Sequence, residues 1–371
     1  MNSPTPLVGT THVSSDIRSP VSRVIAVEEH AWIPGLRAAL LEFGGDDTVA
    51  WLSAPAITSD RLLDVGEERL ARMDAASVDV QVLSITTPGT QPLEPALAVP
   101  LARDANNFLF EAVRRRPDRF AAFATLPTPD PEAAADELYR CVRELGFVGV
   151  MLFPRTGPNM LDHSSFRPIF ECAAELEVPV YIHPGIPPAA VREACYGGFD
   201  FATNLMLSTG GWGWHAEAGL AALRLILAGT FDRHPSLQIV LGHWGEMLVS
   251  FADRADALSS TSTHLERRVL DYVTENVYVT AGGVFSHRML RQALDLLGPD
   301  RLMFAVDDPF NSTVGSAHQN LLGPDPVYSN ARAFIDAAPM TAEDKSKLAH
   351  LNAERLLFGR VKSASAETNW A

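Results

Sequence analysis

Acidic and histidine side chains follow several strand-like runs of this sequence, at the points where the runs end. In the clearest case, LQIVLGHWGE, an apolar run stops at Gly242 and is followed by His243 and Glu246. In α/β proteins, polar groups at the carboxyl ends of buried strands build active sites. A single histidine in this position could equally cap the strand through a backbone hydrogen bond. The interpretation therefore depends on how the other strands end.

Three further runs also end in side chains that can bind a metal ion. VIAVEEH carries Glu28 and His30, which alternation places on one side of a strand; VPVYIH ends at His183; and RLMFAVDD ends at Asp307 and Asp308. Imidazoles and carboxylates are ligands for Zn²⁺, Mn²⁺ and similar ions. Each residue alone could be a charged strand end, a loop-ordering residue or a helix cap. Their recurrence on four strands favours a metal site with room for water or substrate.

These runs belong to a regular alternation of strands and helices. Eight strand-like runs alternate with helical segments over about 340 residues, which predicts a (β/α)8 TIM barrel with long loops at its carboxyl-terminal mouth. The predicted strands cover residues 24–30, 78–84, 120–126, 147–153, 178–183, 237–241, 276–282 and 301–308. A doubly wound open sheet is the alternative. Against it, the first strand lacks a glycine-rich phosphate turn, and the polar strand ends do not gather at one switch point.

Helices are predicted from apolar spacing and from proline and glycine signals. They cover residues 67–76, 100–115, 132–145, 166–176, 216–231, 286–297, 329–337 and 341–357, with another starting at 247. Residues 1–21, rich in Ser, Thr and Pro, are expected to form a flexible tail or an arm that orders against a partner. Residues 22–371 are predicted to form one barrel domain with C-terminal helices. Substrate selectivity is expected to lie in loops 31–65, 185–215 and 310–328.

Composition limits the classes of partner. The chain of 371 residues is 47% apolar and 20% charged, which supports a large core, and its net charge of −15 argues against nucleic-acid and anionic-membrane surfaces. An anionic small substrate stays compatible, because a pocket can be locally positive. Three widely spaced cysteines fit a reducing cytoplasm. No apolar run reaches the roughly 18 residues of a membrane span, and the N-terminus lacks the order of a secretion signal.

The motifs, taken in order, resemble those of the amidohydrolase-related metal-dependent decarboxylases, which include aminocarboxymuconate-semialdehyde and hydroxybenzoate decarboxylases such as those of γ-resorcylate and 2,3-dihydroxybenzoate. They are VEEH, RMD, QVLS, YIHP, LGHWGE, AVDDPF and NAER, spread over about residues 23–357. The resemblance implies a barrel of the metal-dependent hydrolase type. It also implies a ligand set of Glu28, His30, His183 and Asp307. His243 would then stand beside Asp307, with Glu246 orienting its other ring nitrogen.

The activity that this resemblance implies is non-oxidative release of CO₂ from a hydroxylated aromatic carboxylate. Asp307, assisted by His243 and Glu246, would protonate the ring carbon, which requires a shifted pKa for a cation-bound acid. One divalent ion is expected. Glu28, in place of the histidine of hydrolytic relatives, leans toward Mn²⁺ or Mg²⁺ without excluding Zn²⁺. The fourth strand and its exit contain no Lys or Glu to bridge two metals.

Two alternatives stay open. One is a metal-dependent hydrolase or hydratase of the same barrel, acting on an ester, lactone, amide or unsaturated acid through metal-bound water. The other is a catalytically inactive binding barrel, which would leave the intact ligand set unexplained.

Substrate contacts are predicted less directly. Trp32 and Phe310 are candidates for an aromatic wall, and His215 is either a titratable group near the mouth or a helix-start residue without a chemical task. Relatives place an arginine at the position of Arg254, near the substrate of a neighbouring subunit, which implies a homodimer or homotetramer. Relatives usually carry STDYPF on the eighth strand, where this chain has AVDDPF. The second acid, Asp308, leaves the charge beside the metal open.

Overall fold

Eight parallel strands form the centre of the molecule. In the computed structural model, which describes residues 21–52, 60–310 and 331–359, they occur in the predicted order. The strands are β1 Ile25–Ala31, β2 Val80–Ile85, β3 Phe120–Ala122, β4 Val150–Leu152, β5 Val180–Ile182, β6 Ile239–Leu241, β7 Val277–Thr280 and β8 Leu302–Met303. Most are shorter than the apolar runs that predicted them, because one or both ends of each run lie outside the hydrogen-bonded sheet.

The strands close into a barrel. Parallel pairing joins β1, β2 and β3 in one sheet and β4 to β8 in a second. Two bridges connect these sheets, Ala124 with Val150 and Ala26 with Phe304. Across the second bridge, the backbone N–H of Val27 donates to the carbonyl of Phe304 at 3.1 Å. The closed barrel confirms the predicted fold class over the open sheet.

Alternating side chains build two cores. In β5, Val180 and Ile182 pack outward against the helices, whereas Tyr181 packs inside the barrel. The inner core is completed at one end by Ala353 and Leu357 of the C-terminal segment. Asn352 fastens this segment to the barrel, because its side-chain amide donates to the carbonyls of Pro299 and Leu302 at 2.8 and 2.7 Å. The NAER motif thus has a structural role at the start of β8.

Helices surround the barrel. They are α1 Pro34–Phe43, α2 Gly45–Leu52, α3 Glu67–Ala76, α4 Pro95–Arg115, α5 Pro131–Arg143, α6 Arg167–Glu175, α7 Ala189–Val191, α8 Phe201–Ser208, α9 Gly213–Leu227, α10 Thr230–Arg233, α11 Leu248–Ala255, α12 Val269–Asn276, α13 His287–Leu297, α14 Ala331–Asp336 and α15 Ala342–Ser346. The chain continues beyond α15 in wider helical turns, Lys347–Leu351 and Glu354–Phe358.

Two helix predictions need correction. The helix predicted over residues 216–231 is two helices, α9 and α10, because Gly229 adopts a left-handed conformation (φ 67°) that ends the first. The helix predicted from residue 100 starts five residues earlier, at Pro95, since proline is well suited to the first helical position.

Parts of the predicted tail and mouth lie outside the described residues. These are residues 1–20 of the tail, residues 53–59 of the first mouth loop and residues 311–328 of the last mouth loop. None of the helices in residues 21–52, 60–310 and 331–359 has the length and apolarity needed to cross a membrane.

Candidate metal centre and active site

Four potential metal ligands meet at the carboxyl-terminal mouth of the barrel. Glu28 and His30 come from β1, His183 follows β5 and Asp307 follows β8, and all four are buried. One ligand atom from each lies within 4.8 Å of the other three. His30 Nε2 is 3.1 Å from Asp307 Oδ1, and His183 Nε2 is 3.3 Å from Glu28 Oε1. The structure therefore brings together the whole predicted ligand set.

Hydrogen bonds leave the correct histidine nitrogens facing this cluster. His183 Nδ1 donates to the carbonyl of Pro184 at 2.8 Å, and His30 Nδ1 lies 3.2 Å from Ser84 Oγ. The bond to Pro184 places the proton of the neutral His183 ring on Nδ1 and leaves its Nε2 bare, whereas the Ser84 hydroxyl can either donate to or accept from His30 Nδ1. In both rings, Nε2 is the nitrogen that faces the other ligands. His30 Nε2 and Glu28 Oε1 are buried without a hydrogen-bond partner among the described residues. Ligand atoms sit about 2.0–2.2 Å from ions of this kind, so atoms about 3 Å apart can share one. The site fits a divalent cation.

Glu28 presents one oxygen because hydroxyl groups hold the other. Tyr181 donates a short hydrogen bond to Glu28 Oε2, and Thr280 Oγ1 lies 3.2 Å from the same atom. Burial and the neighbouring Glu28 carboxylate raise the pKa of Tyr181 well above 10, which keeps its hydroxyl a donor. A register shift between Ala26 and Glu29 re-aims β1, so that Val27 and Glu28 both face the barrel interior.

Burial also sets the protonation of the ligand histidines. It lowers the pKa of His30 to about 4 and that of His183 well below 6.5. Both imidazoles are therefore neutral near pH 7, the form that binds metal. Burial raises the pKa of Glu28, because an isolated carboxylate is poorly solvated there. A cation in the cluster would favour the charged carboxylate.

A second group of titratable side chains adjoins the ligands. His243 Nδ1 lies 2.6 Å from Glu246 Oε1, and His215 Nδ1 lies 2.7 Å from Glu246 Oε2. On its inner side, His243 Nε2 is 3.9 Å from Glu28 Oε1. Burial disfavours the charged forms of His243 and Glu246, but the attraction of each for its charged neighbours is stronger than this effect. The carboxylates of Glu246 and Glu28 raise the pKa of His243 to about 10, and His243 and His215 lower that of Glu246 to about 2.

The turn that carries this pair is strained. His243, Trp244, Glu246 and Met247 all have φ between 47° and 65°, as does Asp307 (φ 64°) after β8. Non-glycine residues in this region cost on the order of 1–3 kcal/mol each and persist where the surroundings over-determine them. Here Trp244 Nε1 donates to the carbonyl of Val284 at 2.6 Å, and the Trp244 backbone N–H donates to Thr280. These contacts anchor the turn to β7 and its exit.

The four predicted substrate contacts have different surroundings. The ring of Phe310 lies 5.5 Å from that of His30, so Phe310 adjoins the metal ligands. Trp32 is 1% exposed, and its Nε1 has no hydrogen-bond partner among the described residues. Both ring nitrogens of His215 are engaged within the protein. Arg254 is exposed on α11, outside the buried cluster.

Asp308, the acid that departs from the relatives' motif, is neutralised by arginines. Arg72 Nε and Nη2 each lie 3.3 Å from one oxygen of Asp308, and Arg69 Nη1 is 3.5 Å away. The Asp308 backbone is fixed too, since its carbonyl accepts from the N–H of His30 at 2.7 Å. Asp308 thus fastens the β8 exit to α3 and β1, and it is not among the clustered ligand atoms.

Several site residues were not predicted. Tyr181 could have been, because it shares a face of β5 with His183. Thr280 and Trp51 carry no sequence signal for the site. Trp51, on α2, packs edge-to-face on Trp214 at 5.1 Å between ring centroids, and Trp214 lies 6.4 Å from His183. Contacts between segments far apart in sequence create this aromatic wall.

This chain is similar in sequence to amidohydrolases and to decarboxylases. A sequence profile of the amidohydrolase family matches residues 30–359. A γ-resorcylate decarboxylase of Rhodococcus jostii is 36% identical over 311 residues, 80% of this chain and 88% of that protein.

Solved structures of decarboxylases are similar to this chain as well. The 5-carboxyvanillate decarboxylase of Novosphingobium aromaticivorans, in complex with manganese and 4-hydroxy-3-methoxy-5-nitrobenzoic acid, has a TM-score of 0.80 at 31% identity, covering 91% of this chain and 96% of that one. A dihydroxybenzoic acid decarboxylase of Polaromonas, with bound manganese and 2-nitroresorcinol, has a TM-score of 0.75 at 30% identity, covering 91% and 97%.

Proposed function

We propose that this chain, which belongs to the amidohydrolase family, is a metal-dependent non-oxidative decarboxylase of a hydroxylated aromatic carboxylic acid. The observation that carries this proposal is the buried set of Glu28, His30, His183 and Asp307 beside the aromatic ring of Phe310. Relatives and structural neighbours with hydroxybenzoate-type decarboxylase activity support it.

The chain's own residues would orient the metal and the substrate. Glu28, His30, His183 and Asp307 would hold one divalent ion, which would supply a positive charge for the substrate carboxylate and an adjacent phenolic oxygen. Mn²⁺ is our first choice, since two structural neighbours contain it and two carboxylates make a hard ligand set; Zn²⁺ and Mg²⁺ follow. Phe310 and Trp32 would confine the aromatic ring.

The chemical step is the exchange of a carboxylate for a proton on the ring. Asp307 would deliver a proton to the ring carbon that bears the carboxylate. The electron pair of the breaking carbon–carbon bond then stays with the ring as CO₂ leaves. His243 would assist Asp307, because the two are close enough for the Asp307 carboxylate to raise the pKa of His243, and the charge of His243 is held by Glu246. The overall reaction takes up one proton and needs no oxidant.

The experiment combines metal analysis with a panel of hydroxybenzoates. Metal-loaded protein is incubated with each acid while CO₂ and the decarboxylated phenol are measured. Asp307→Asn should abolish CO₂ release while metal stays bound, as checked by metal content. The matched control is Asp118→Asn, the same change on a carboxylate that is 65% exposed, and it should leave the activity unchanged.

Two results would contradict the proposal. One is turnover of an ester or lactone with oxygen incorporated from labelled water and no CO₂ release, which would indicate a hydrolase. The other is undiminished CO₂ release by metal-loaded Asp307→Asn, which would remove Asp307 from the proton-transfer step.

The proposal extends to assembly and location. We propose a homodimer or homotetramer in which Arg254 serves a neighbouring subunit's site, because its side chain is exposed on α11 rather than turned into its own barrel. A cytoplasmic location accords with three cysteines that are all free.

A further inference from the structure

His215, whose side chain is 16% exposed, is the outermost member of the group around Glu246, and the proposed reaction does not use it. We propose that His215 is a positioning residue that fixes the Glu246 carboxylate, and through it the ring of His243, for proton delivery. The inference rests on the proposed decarboxylation for its kinetic part and on geometry alone for its structural part.

Two imidazoles, those of His243 and His215, share the carboxylate of Glu246. Glu246 is fully buried, and its two oxygens are used separately, Oε1 by His243 Nδ1 at 2.6 Å and Oε2 by His215 Nδ1 at 2.7 Å. The two rings are 4.5 Å apart at their centroids. Because a buried carboxylate oxygen needs a donor, removing His215 would leave Oε2 unsatisfied. Glu246 would then be free to rotate away from His243.

His215 donates from Nδ1 to Glu246, because the carboxylate oxygen that faces this nitrogen can only accept. Its other nitrogen, Nε2, lies 3.0 Å from Trp214 Nε1, which can only donate, and 3.0 Å from the carbonyl of Gly210, which can only accept. In the neutral ring with its proton on Nδ1, the bare Nε2 accepts from Trp214. In the doubly protonated ring, Nε2 donates to the carbonyl of Gly210 and Nδ1 still donates to Glu246.

Contacts within the protein engage both ring nitrogens of His215. Since Glu246, Trp214 and Gly210 occupy both of its nitrogens, it has no free atom for a substrate or a metal ion. Its position is also anchored on the far side, because Trp214 packs against Trp51 at 5.1 Å. These contacts favour a role that acts through Glu246.

Two amide substitutions separate the contacts of His215. The amide nitrogen of His215→Asn can occupy the place of Nδ1 and donate to Glu246, whereas the longer side chain of His215→Gln reaches the place of Nε2. We expect His215→Asn to keep kcat near that of the wild type. His215→Gln and His215→Ala should lower kcat about 10- to 100-fold with little change in KM. His163→Gln, at an exposed histidine, is the matched control.

A measurement without turnover tests the same contacts. Proton NMR of the Zn²⁺-loaded enzyme should show two far-downfield imidazole N–H signals, from His215 and His243 bound to Glu246. His215→Asn should remove the first and leave the second in place. His215→Gln and His215→Ala should remove the first and shift or broaden the second.

The kinetic and NMR comparisons can each support or overturn the positioning role of His215. Rescue by Asn but not by Gln, with the NMR change described, supports the positioning role. Equal losses in Asn and Gln, or a His243 signal unmoved by either Gln or Ala, overturn it. If the wild type releases no CO₂ from any hydroxybenzoate, the proposed function fails, and the NMR comparison still decides the role of His215.

Discussion

The Glu28 carboxylate reaches the metal site with only one of its two oxygens. Tyr181 and Thr280 hold the second oxygen through their hydroxyl groups, and both are fully buried. A ligand held in this way loses little rotational freedom when it binds an ion. Contacts behind metal ligands therefore contribute to affinity although they never touch the metal.

This geometry predicts that Tyr181→Phe weakens metal binding. The change removes one hydroxyl donor and keeps the ring that packs inside the barrel. We expect the affinity for Mn²⁺ to fall by about 10- to 100-fold, with the thermal stability of the metal-free protein nearly unchanged. The measurement is a competition titration against a chelator. Tyr139→Phe, at a tyrosine that is 55% exposed, is the control. Equal affinity of Tyr181→Phe and wild type would show that Thr280 alone orients Glu28.

Residue types at strand ends account for what could be predicted about the site. His183 and Asp307 each follow an apolar run, so their meeting at the mouth follows from parallel strands in a barrel. Glu28 and His30 share a face by alternation. The hydrogen bond between His215 and Glu246 could not be predicted, because 31 residues separate them and α9 must pack against α11 to bring them together.

The register shift in β1 and the close packing around Gly242 after β6 are two features that the sequence does not show. The register shift in β1 turns Glu28 inward, and no glycine or proline marks it. Gly242 ended β6 in the prediction as a strand breaker, but it also has a spatial role. A Cβ there would lie 2.8 Å from Glu28 Oε2 and 3.0 Å from Glu246 Oε1. The glycine leaves space for both carboxylates, which only the folded barrel reveals.

Helices α4 and α5 are joined by a buried carboxylate that predicts a pH-dependent stability. Glu137 on α5 accepts from Asn106 on α4 at 2.8 Å and from Arg140. Burial opposes its ionisation, but these hydrogen bonds outweigh burial and hold the pKa of Glu137 below 4.5. A depressed pKa contributes stability above the unfolded value of about 4.3, and this contribution is lost as pH falls through the folded value.

We therefore expect Glu137→Gln to lower the free energy of unfolding by about 1–3 kcal/mol at pH 7. The difference should shrink as pH falls below about 4, because the wild type then loses its own carboxylate charge. Urea unfolding of both proteins across this pH range measures it. Glu68→Gln, at an exposed position on α3, should show little difference at any pH. A constant difference across the range would mean that the charge of Glu137 contributes nothing.

The surface formed by α8, α9 and α11 exposes several large apolar side chains. They lie on these three helices and on the segments before α8 and before α9, and α9 packs against both other helices. They are Phe199 (63% exposed), Phe201 (73%), Met206 (41%), Trp212 (51%), Leu220 (46%) and Phe251 (64%). Large apolar side chains exposed on neighbouring helices are typical of surfaces that contact another protein chain. Arg254 is exposed on the same helix as Phe251, three residues further along.

This face predicts self-association that supports activity. If two copies meet across α8, α9 and α11, Phe201→Asp with Phe251→Asp should dissociate them, because a contact would bury two unpaired carboxylates. Sedimentation velocity should show a monomer for this double variant, whereas the control Tyr139→Asp, on the outer side of α5, should leave the assembly intact. Because Arg254 lies beside this face, kcat/KM should fall together with assembly. Activity retained by a well-folded monomer would place every group needed for the reaction within one chain. It would then leave Arg254 a surface arginine.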